Sequence, residues 1–145
     1  MPLTRSMGLK PVRFSTDEVR FWLPLHNNQN DKGTAFGGST AAAMILAGWS
    51  LVHLNLQKQG VTADVVIYQN TCQWQRPLRG DAWVVARFSS DVNVTKRRKW
   101  GTRRMRICCQ VGVYDKQGQQ HSHMQADYVI LPAKTQNQAC SQEAV

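Results

Sequence analysis

The sequence predicts an α+β fold in which an antiparallel sheet is built on one long helix. Three observations predict it. One stretch, from about Gly37 to Gln59, has the length and apolar spacing of a buried helix. Two short apolar segments separated by a polar turn precede it, and everything after it reads as strand. Runs of strands around a single helix belong to α+β architectures and not to alternating parallel ones.

The elements follow in order. Val12-Arg13-Phe14 and Val19-Arg20-Phe21-Trp22-Leu23 flank Ser15-Thr16-Asp17-Glu18, the pattern of a hairpin. The Asn-rich loop PLHNNQNDKG comes next and closes at Gly33. In the helix, Ala42, Ile45, Trp49, Val52 and Leu56 form one apolar stripe, and Ala43, Ala47, Leu51 and Leu54 make the opposite side apolar too. A helix apolar all round is one that other elements surround. Gly60 supplies its C-terminal cap. Asp64–Gln75 is a β-rich run stopped by the turn segment Arg76-Pro77-Leu78-Arg79-Gly80-Asp81, and Ala82–Phe88 is a short apolar strand. From Thr102 onward Met105, Ile107, Cys109, Val111 and Val113 alternate with Arg104, Arg106, Cys108 and Gln110, the signature of a half-buried strand. After the turn Asp115-Lys116-Gln117-Gly118, His123–Leu131 is the last strand.

With 145 residues, 42% hydrophobic and 19% charged, the chain is expected to form one domain over residues 1–132 and a small polar tail over 133–145. Eighteen Lys and Arg against nine Asp and Glu give +9, which points to an anionic partner or substrate. The cysteines at 72, 108, 109 and 140 form no CxxC pair and have no zinc-like spacing to the histidines, so no metal site and a reduced, cytoplasmic chain are expected. The amino terminus lacks the apolar core of a secretory leader. The apolar stretch Ala41–Leu56 is interrupted by Trp49, Ser50, His53 and Asn55 and falls short of the ~20 residues of a bilayer span.

Chemistry concentrates in Asn30-Asp31-Lys32-Gly33-Thr34-Ala35-Phe36-Gly37-Gly38-Ser39. Glycines at the start of a buried helix leave backbone N–H groups uncovered, with the helix dipole adding positive potential. Such a place holds an anion or a developing oxyanion. Alternatively, Gly37 and Gly38 permit close helix–sheet packing. Asp31 reads as a turn residue or as an acid beside the helix entrance, Asn70 as a water-orienting amide or a solvated edge residue, and Ser39 as a first-turn hydroxyl. His53 reads as packed or facing a second copy, His26 as a loop residue near the pocket. His121 and His123 share a strand face without further ligands. Lys96-Arg97-Arg98-Lys99-Trp100-Gly101-Thr102-Arg103-Arg104-Met105-Arg106 holds seven of the eighteen cations and no acid, suiting phosphate recognition or a solvated face. Trp100 amid these cations could stack on a base, but no nucleic-acid motif accompanies it, so nucleic acid is the least supported partner.

The order of elements together with N-x-x-G-T-x-x-G-G resembles the hot-dog thioesterase superfamily over Met7–Pro132. Within it, NDKGTAFGGS, AGW and RPLRGD are most similar to the thioesterase family that also forms the C-terminal domain of YiiD-type acetyltransferases. The acetyltransferase half of those fusions has no counterpart here, so amine acetylation is not expected. The resemblance implies a sheet wrapped around one helix and a homo-oligomer, dimer or tetramer, with sites between subunits. It also implies hydrolysis of an acyl-CoA or acyl-carrier-protein thioester. Coenzyme A would enter as part of the substrate, with no other cofactor. Asn30 occupies the Asn position of the superfamily's Asn-x5-His-Gly-Gly pattern, Gly37 the position whose N–H polarises the carbonyl, and Phe36 replaces the His. The helix carboxylate of that branch falls on Ile45, and no Asp or Glu lies between Thr34 and Gly60. Asp31, Asp64, Gln69 and Asn70 are the candidate substitutes. The catalytic set expected is thus Asn30, Gly37, Gly38, Asp31 and Asn70. Thr34, Phe36, Ser39, Ile45 and Trp49 would meet the acyl group, and Lys96, Arg97, Arg98, Lys99, Arg103 and Arg104 the phosphates. A non-catalytic acyl-CoA or acyl-carrier sensor, which explains the missing carboxylate, is the competing reading.

Overall fold

The computed structural model describes residues 1–90, 92 and 100–133. The hairpin is present as β1 (Lys10–Phe14) and β2 (Glu18–Leu23), followed by the helix α2 (Gly37–Lys58) and strands β3 (Ala63–Trp74), β4 (Ala82–Phe88), β5 (Met105–Tyr114) and β6 (Gln120–Pro132). A five-residue helix α1 (Pro2–Ser6) precedes them, and a single 3-10 turn (His26–Asn28) lies in the Asn-rich loop. Neither was expected. Pro2 starts α1 where a missing N–H costs nothing, and both elements are too short to show a period. The predicted tail lies outside the described residues from 134 on.

The six strands form one sheet in the order β1-β2-β4-β5-β6-β3, every neighbour antiparallel. The strands after the helix are therefore not laid down consecutively. β3 pairs with β6 at one edge, and the segment 75–81 carries the chain back to β4, beside β2. The alternation expected in β5 is observed: Ile107, Cys109, Val111 and Val113 are buried. In β3 a bulge between Ile67 and Gln69 shifts the register, so Asn70, Cys72 and Trp74 pair with the inward residues Ala126, Met124 and Ser122.

Ala43, Met44, Ala47, Leu51, Val52 and Leu56 of α2 are buried in the core with Val84, Val111, Met124, Tyr128 and Ile130. The helix ends in a Schellman motif: Val61 N–H reaches Leu56 O at 3.0 Å and Gly60 N–H reaches Gln57 O at 3.0 Å, with Gly60 at φ +68°. By length and composition α2 could cross a bilayer, but 56% of its apolar window is buried inside the fold. The helix is not surrounded within one chain. Ala41, Ala42, Ile45, Leu46 and Trp49 are only half-buried, because the sheet covers one side and nothing described covers the other.

Two aromatic donors fix α2 on the sheet. The Tyr128 hydroxyl donates to Ile45 O at 2.6 Å, and Trp49 Nε1 donates to Val65 O at 2.7 Å. Burial pushes the Tyr128 phenol well above its ordinary pKa, so it remains a donor. Gly48 is required where Tyr128 crosses, since a Cβ there would lie 2.4 Å from Tyr128 Oη. Gly48→Ala is expected to lower stability by about 1–3 kcal/mol through overpacking, read as a fall in urea midpoint at unchanged slope.

Candidate functional site

The site is assembled where the loop before α2, the helix N-terminus and the segment after β3 meet. Asn30 organises the loop. Its Oδ1 accepts from the N–H groups of Lys32 (2.9 Å) and Thr34 (3.1 Å), and its Nδ2 donates to Thr34 Oγ1 at 2.9 Å. The loop is tied to its surroundings by Ala35 N–H to Leu78 O (2.9 Å) and Phe36 N–H to Asn28 O (2.7 Å). Asn28, buried, donates from Nδ2 to Met7 O and Pro24 O.

The chain enters α2 through Phe36 at φ −66° and ψ 127°, which offers no side-chain cap. The N–H groups of Ser39 and Thr40 reach Phe36 O. Those of Gly37 and Gly38 have no hydrogen-bond partner among the described residues. Thr40 holds the turn in place: its hydroxyl donates to Gly37 O at 2.9 Å and accepts from Trp74 Nε1 at 3.0 Å. An open cavity of about 380 Å³ lies here, lined by residues of the loop (Thr34, Ala35), of α2 (Gly37, Thr40), of β3 and its exit (Trp74 to Leu78), and by Ser122. Packing also constrains the glycines. A Cβ on Gly37 would lie 3.2 Å from Trp74 Nε1, and one on Gly38 2.3 Å from the Phe36 ring. The glycine pair therefore permits close packing and also leaves two N–H groups uncovered.

The wall formed by 75–78 is fastened from behind. Gln75 and Arg76 N–H groups bond His121 O, at 2.9 and 3.3 Å. The His121 ring spans Pro77 O (Nδ1, 3.0 Å) and Asp115 Oδ2 (Nε2, 2.8 Å). Both partners are acceptors, so both bonds form together when the ring carries two protons. His121 is thus part of the scaffold, while His123 borders a polar groove on the other side of the sheet with Gln69, Gln125 and Asp127.

Of the sequence-predicted residues, Gly37 and Thr34 line the cavity, and Gly38 and Ser39 adjoin it on the first turn of α2. The amide of Asn30 shapes the loop and is largely spent in doing so. Asp31 is an exposed turn residue paired with Lys32 at 3.1 Å. The Phe36 ring is exposed and covers Gly38. Ile45 and Trp49 lie further along the half-buried helix face, Trp49 stacked on His53 at 4.4 Å. Asn70 is exposed on the inward side of β3, where it accepts from Cys72 Sγ at 3.3 Å. Gln69 instead binds Asp127 on the outer side, at 2.8 Å. Asp64 pairs with Leu131 at the far end of β3.

The described part of the basic segment, Arg103 and Arg104, is not among the residues that line the cavity at Gly37. Lys96, Arg97, Arg98 and Lys99 lie outside the described residues. Arg103 and Arg104 lie between Gly101, at the C-terminal end of α2, and Met105, which pairs with Ile130 on the side of β6 opposite Val65. Gly101 packs there against Val61 and Leu56. The 22 residues of α2 separate this end from Gly37 by about 33 Å at ~1.5 Å per residue. Trp100 is 2% exposed and edge-on to Phe88 at 5.3 Å, so it offers no face to a base. Sequence reasoning missed Thr40, Trp74, Arg76 and Ser122. The cation in R-P-L-R-G-D was a usable signal for Arg76, whereas the other three meet only through strand register.

A family model described as "Putative thioesterase (yiiD_Cterm)" matches residues 1–132. The chain belongs to this family. A structure with the same thioesterase description, from Shewanella oneidensis, is 26% identical and superposes with a TM-score of 0.80 over 91% of this chain and 90% of that one. A protein of unknown function from Chlorobaculum tepidum TLS is 23% identical, with a TM-score of 0.79 over 92% and 88%. A thioesterase from Haemophilus influenzae is 14% identical, with a TM-score of 0.75 over 93% and 86%. The likenesses show the hot-dog fold, and the family supports a thioesterase-type function.

The hydrogen bond from His121 and the backbone N–H groups of Gln119 and Gln117 hold the Asp115 carboxyl below its ordinary value. A depressed carboxylate stabilises the fold above its unfolded pKa, and that contribution is lost as pH falls through the lowered value. Melting temperature is therefore expected to drop as pH goes below the ordinary 3.8, and Asp115→Asn should flatten that part of the profile while lowering the plateau at neutral pH.

Proposed function

We propose that this member of the thioesterase family hydrolyses acyl thioesters of coenzyme A or of a carrier protein. The observation that carries the reading is the pair of unpartnered N–H groups at Gly37 and Gly38, beside a cavity that reaches Gly37. In the reaction the thioester carbonyl accepts from these groups, and the positive end of α2 stabilises the oxyanion that forms when water adds. Collapse of the tetrahedral species expels the thiolate and leaves the carboxylic acid. Among the described residues no carboxylate or imidazole lines the cavity, and a general base is worth about 10²–10⁴-fold, so the described lining polarises the carbonyl without supplying a base.

A second copy supplies what one chain lacks. β3 is an edge strand whose Val66, Ile67, Tyr68 and Trp74 are exposed, and the uncovered side of α2 lies beside it. Antiparallel pairing of two β3 edges would cover both apolar surfaces. It would also reverse the second copy, so that its Arg103 and Arg104 end approaches the first copy's Gly37 end and meets the phosphates of coenzyme A. Asn70, on the inward side of β3, would then face the interface. No metal or redox cofactor enters this scheme, and a reduced cytoplasmic setting suits it. The sensor reading is favoured by one observation, the cavity's lack of an acid or base.

Two measurements test the proposal. Gly37→Pro removes one N–H at the first helical position, where proline is tolerated, behind a residue already in the backbone region that proline favours. It should cut kcat on short acyl-CoAs by about 10²–10³ with an unchanged circular dichroism spectrum; saturable binding with hydrolysis no faster than in buffer would instead establish the sensor. Wild-type chain should sediment as a dimer or tetramer, and Ile67→Lys as a monomer without turnover.

A further inference from the structure

The cavity beside Gly37 carries a cation that the thioester itself does not require. Arg76 lies on its wall, exposed, with its backbone N–H fastened to His121 O at 3.3 Å. Its guanidinium makes no ion pair among the described residues, and the cavity lining holds no Asp or Glu to balance it. Ser122, only 3% exposed, lines the same space, and its hydroxyl has no hydrogen-bond partner among the described residues. The Thr34 hydroxyl, 8% exposed by residue, accepts from Asn30 and keeps its own proton to donate. Three residues that carry donor groups thus line one small space, and its described lining holds no carboxylate to balance the cation. An unpaired guanidinium beside a nearly buried hydroxyl that has no partner of its own suits an anionic acceptor brought by the ligand.

Size decides which acceptor this is. A cavity of about 380 Å³ is about 7 Å on a side. The pantetheine arm between the thioester sulfur and the first phosphate is about a dozen bonds long, or roughly 15 Å extended at ordinary bond lengths. With the carbonyl at Gly37, the phosphates of coenzyme A or of a carrier's prosthetic group therefore lie outside this cavity. An anion within reach of Arg76 has to sit a few atoms from the carbonyl, on the acyl side.

We infer that the substrate is a thioester of a short dicarboxylic acid, its free carboxylate held by Arg76 with Ser122 and Thr34 as neutral donors. The inference rests on the hydrolase reading above. A guanidinium suits the task because its planar fork matches a carboxylate bidentately. The residue acts in selection: it touches the acyl group and takes no part in bond making.

The experiment compares succinyl-CoA and butyryl-CoA, equal in acyl length and different in charge, on the full chain. Succinyl-CoA should be preferred in kcat/KM. Arg76→Gln should lower kcat/KM for succinyl-CoA roughly ten- to a hundredfold, the worth of a charge-assisted hydrogen bond, mainly through KM. It should change butyryl-CoA less than threefold, and Arg76→Lys should recover part of the loss. An equal loss on both substrates would move Arg76 to the phosphates and overturn the inference, as would no loss on either. If neither ester is turned over, the hydrolase reading fails separately. Calorimetric titration with non-hydrolysable thioether analogues of the two then decides: a carboxylate preference erased by Arg76→Gln upholds the subsite, and equal binding removes it.

Discussion

Everything at the helix N-terminus depends on how α2 is laced to the sheet. Three ring-borne donors do this, from one end of the helix toward the other: Trp74 to Thr40, Tyr128 to Ile45 O, and Trp49 to Val65 O. Apolar packing of Ala43, Ala47 and Leu51 is non-directional and would let the helix slide or rotate by a fraction of a turn. Hydrogen bonds from rigid rings set its register against β3 and β6. Gly48 makes the middle one possible by letting the Tyr128 ring lie against the helix backbone. The position of Gly37 is therefore inherited from contacts up to three turns away.

That anchoring explains why the helix can begin without a cap. A side-chain cap at the N-terminus is ordinarily worth about 1 kcal/mol, and Phe36 supplies none. The cost is small against the burial of α2, so the fold tolerates it, and two N–H groups remain directed outward. Thr40 is used in the opposite sense from a capping residue. Its hydroxyl fixes the carbonyl of Gly37 from inside the helix and leaves the N–H of the same residue free. The loop before the helix is rigid for its own reasons, since Asn30 and Asn28 spend their amides on backbone groups. A fixed donor pair does not need to reorganise as charge develops, which is where its value in acyl transfer lies.

Much of the fold was readable before any coordinates, because period and punctuation are local. Alternation in β5, the polar turn between β1 and β2, and Gly60 after the helix each declare themselves within a few residues. The candidate site was readable only where it is local too. Thr34, Gly37 and Gly38 lie within five residues of sequence and meet at one place in the fold, whereas Trp74 and Ser122 come to the cavity through a register that no short window contains. The surroundings of the described basic residues were out of reach for the same reason. The charge of the segment is plain in sequence, but which end of the helix it borders depends on β5 pairing with β6 and β6 with β3, and that order puts Arg103 and Arg104 away from Gly37.

This separation gives the charge distribution a meaning that the net value conceals. A single chain has its carbonyl-binding end and its described basic segment at opposite ends of one helix, so neither end alone describes a site for a coenzyme A ester. In the proposed dimer a two-fold axis across β3 would invert one helix against the other and bring the complementary halves together twice. Under that symmetry the exposed apolar edge, the half-covered helix face and the remote cations are one requirement seen in three places. Arg76 stands apart from it. It lines the cavity of its own chain, where the proposed subsite assigns it to the acyl group, while the proposed dimer assigns the partner's cations to the carrier.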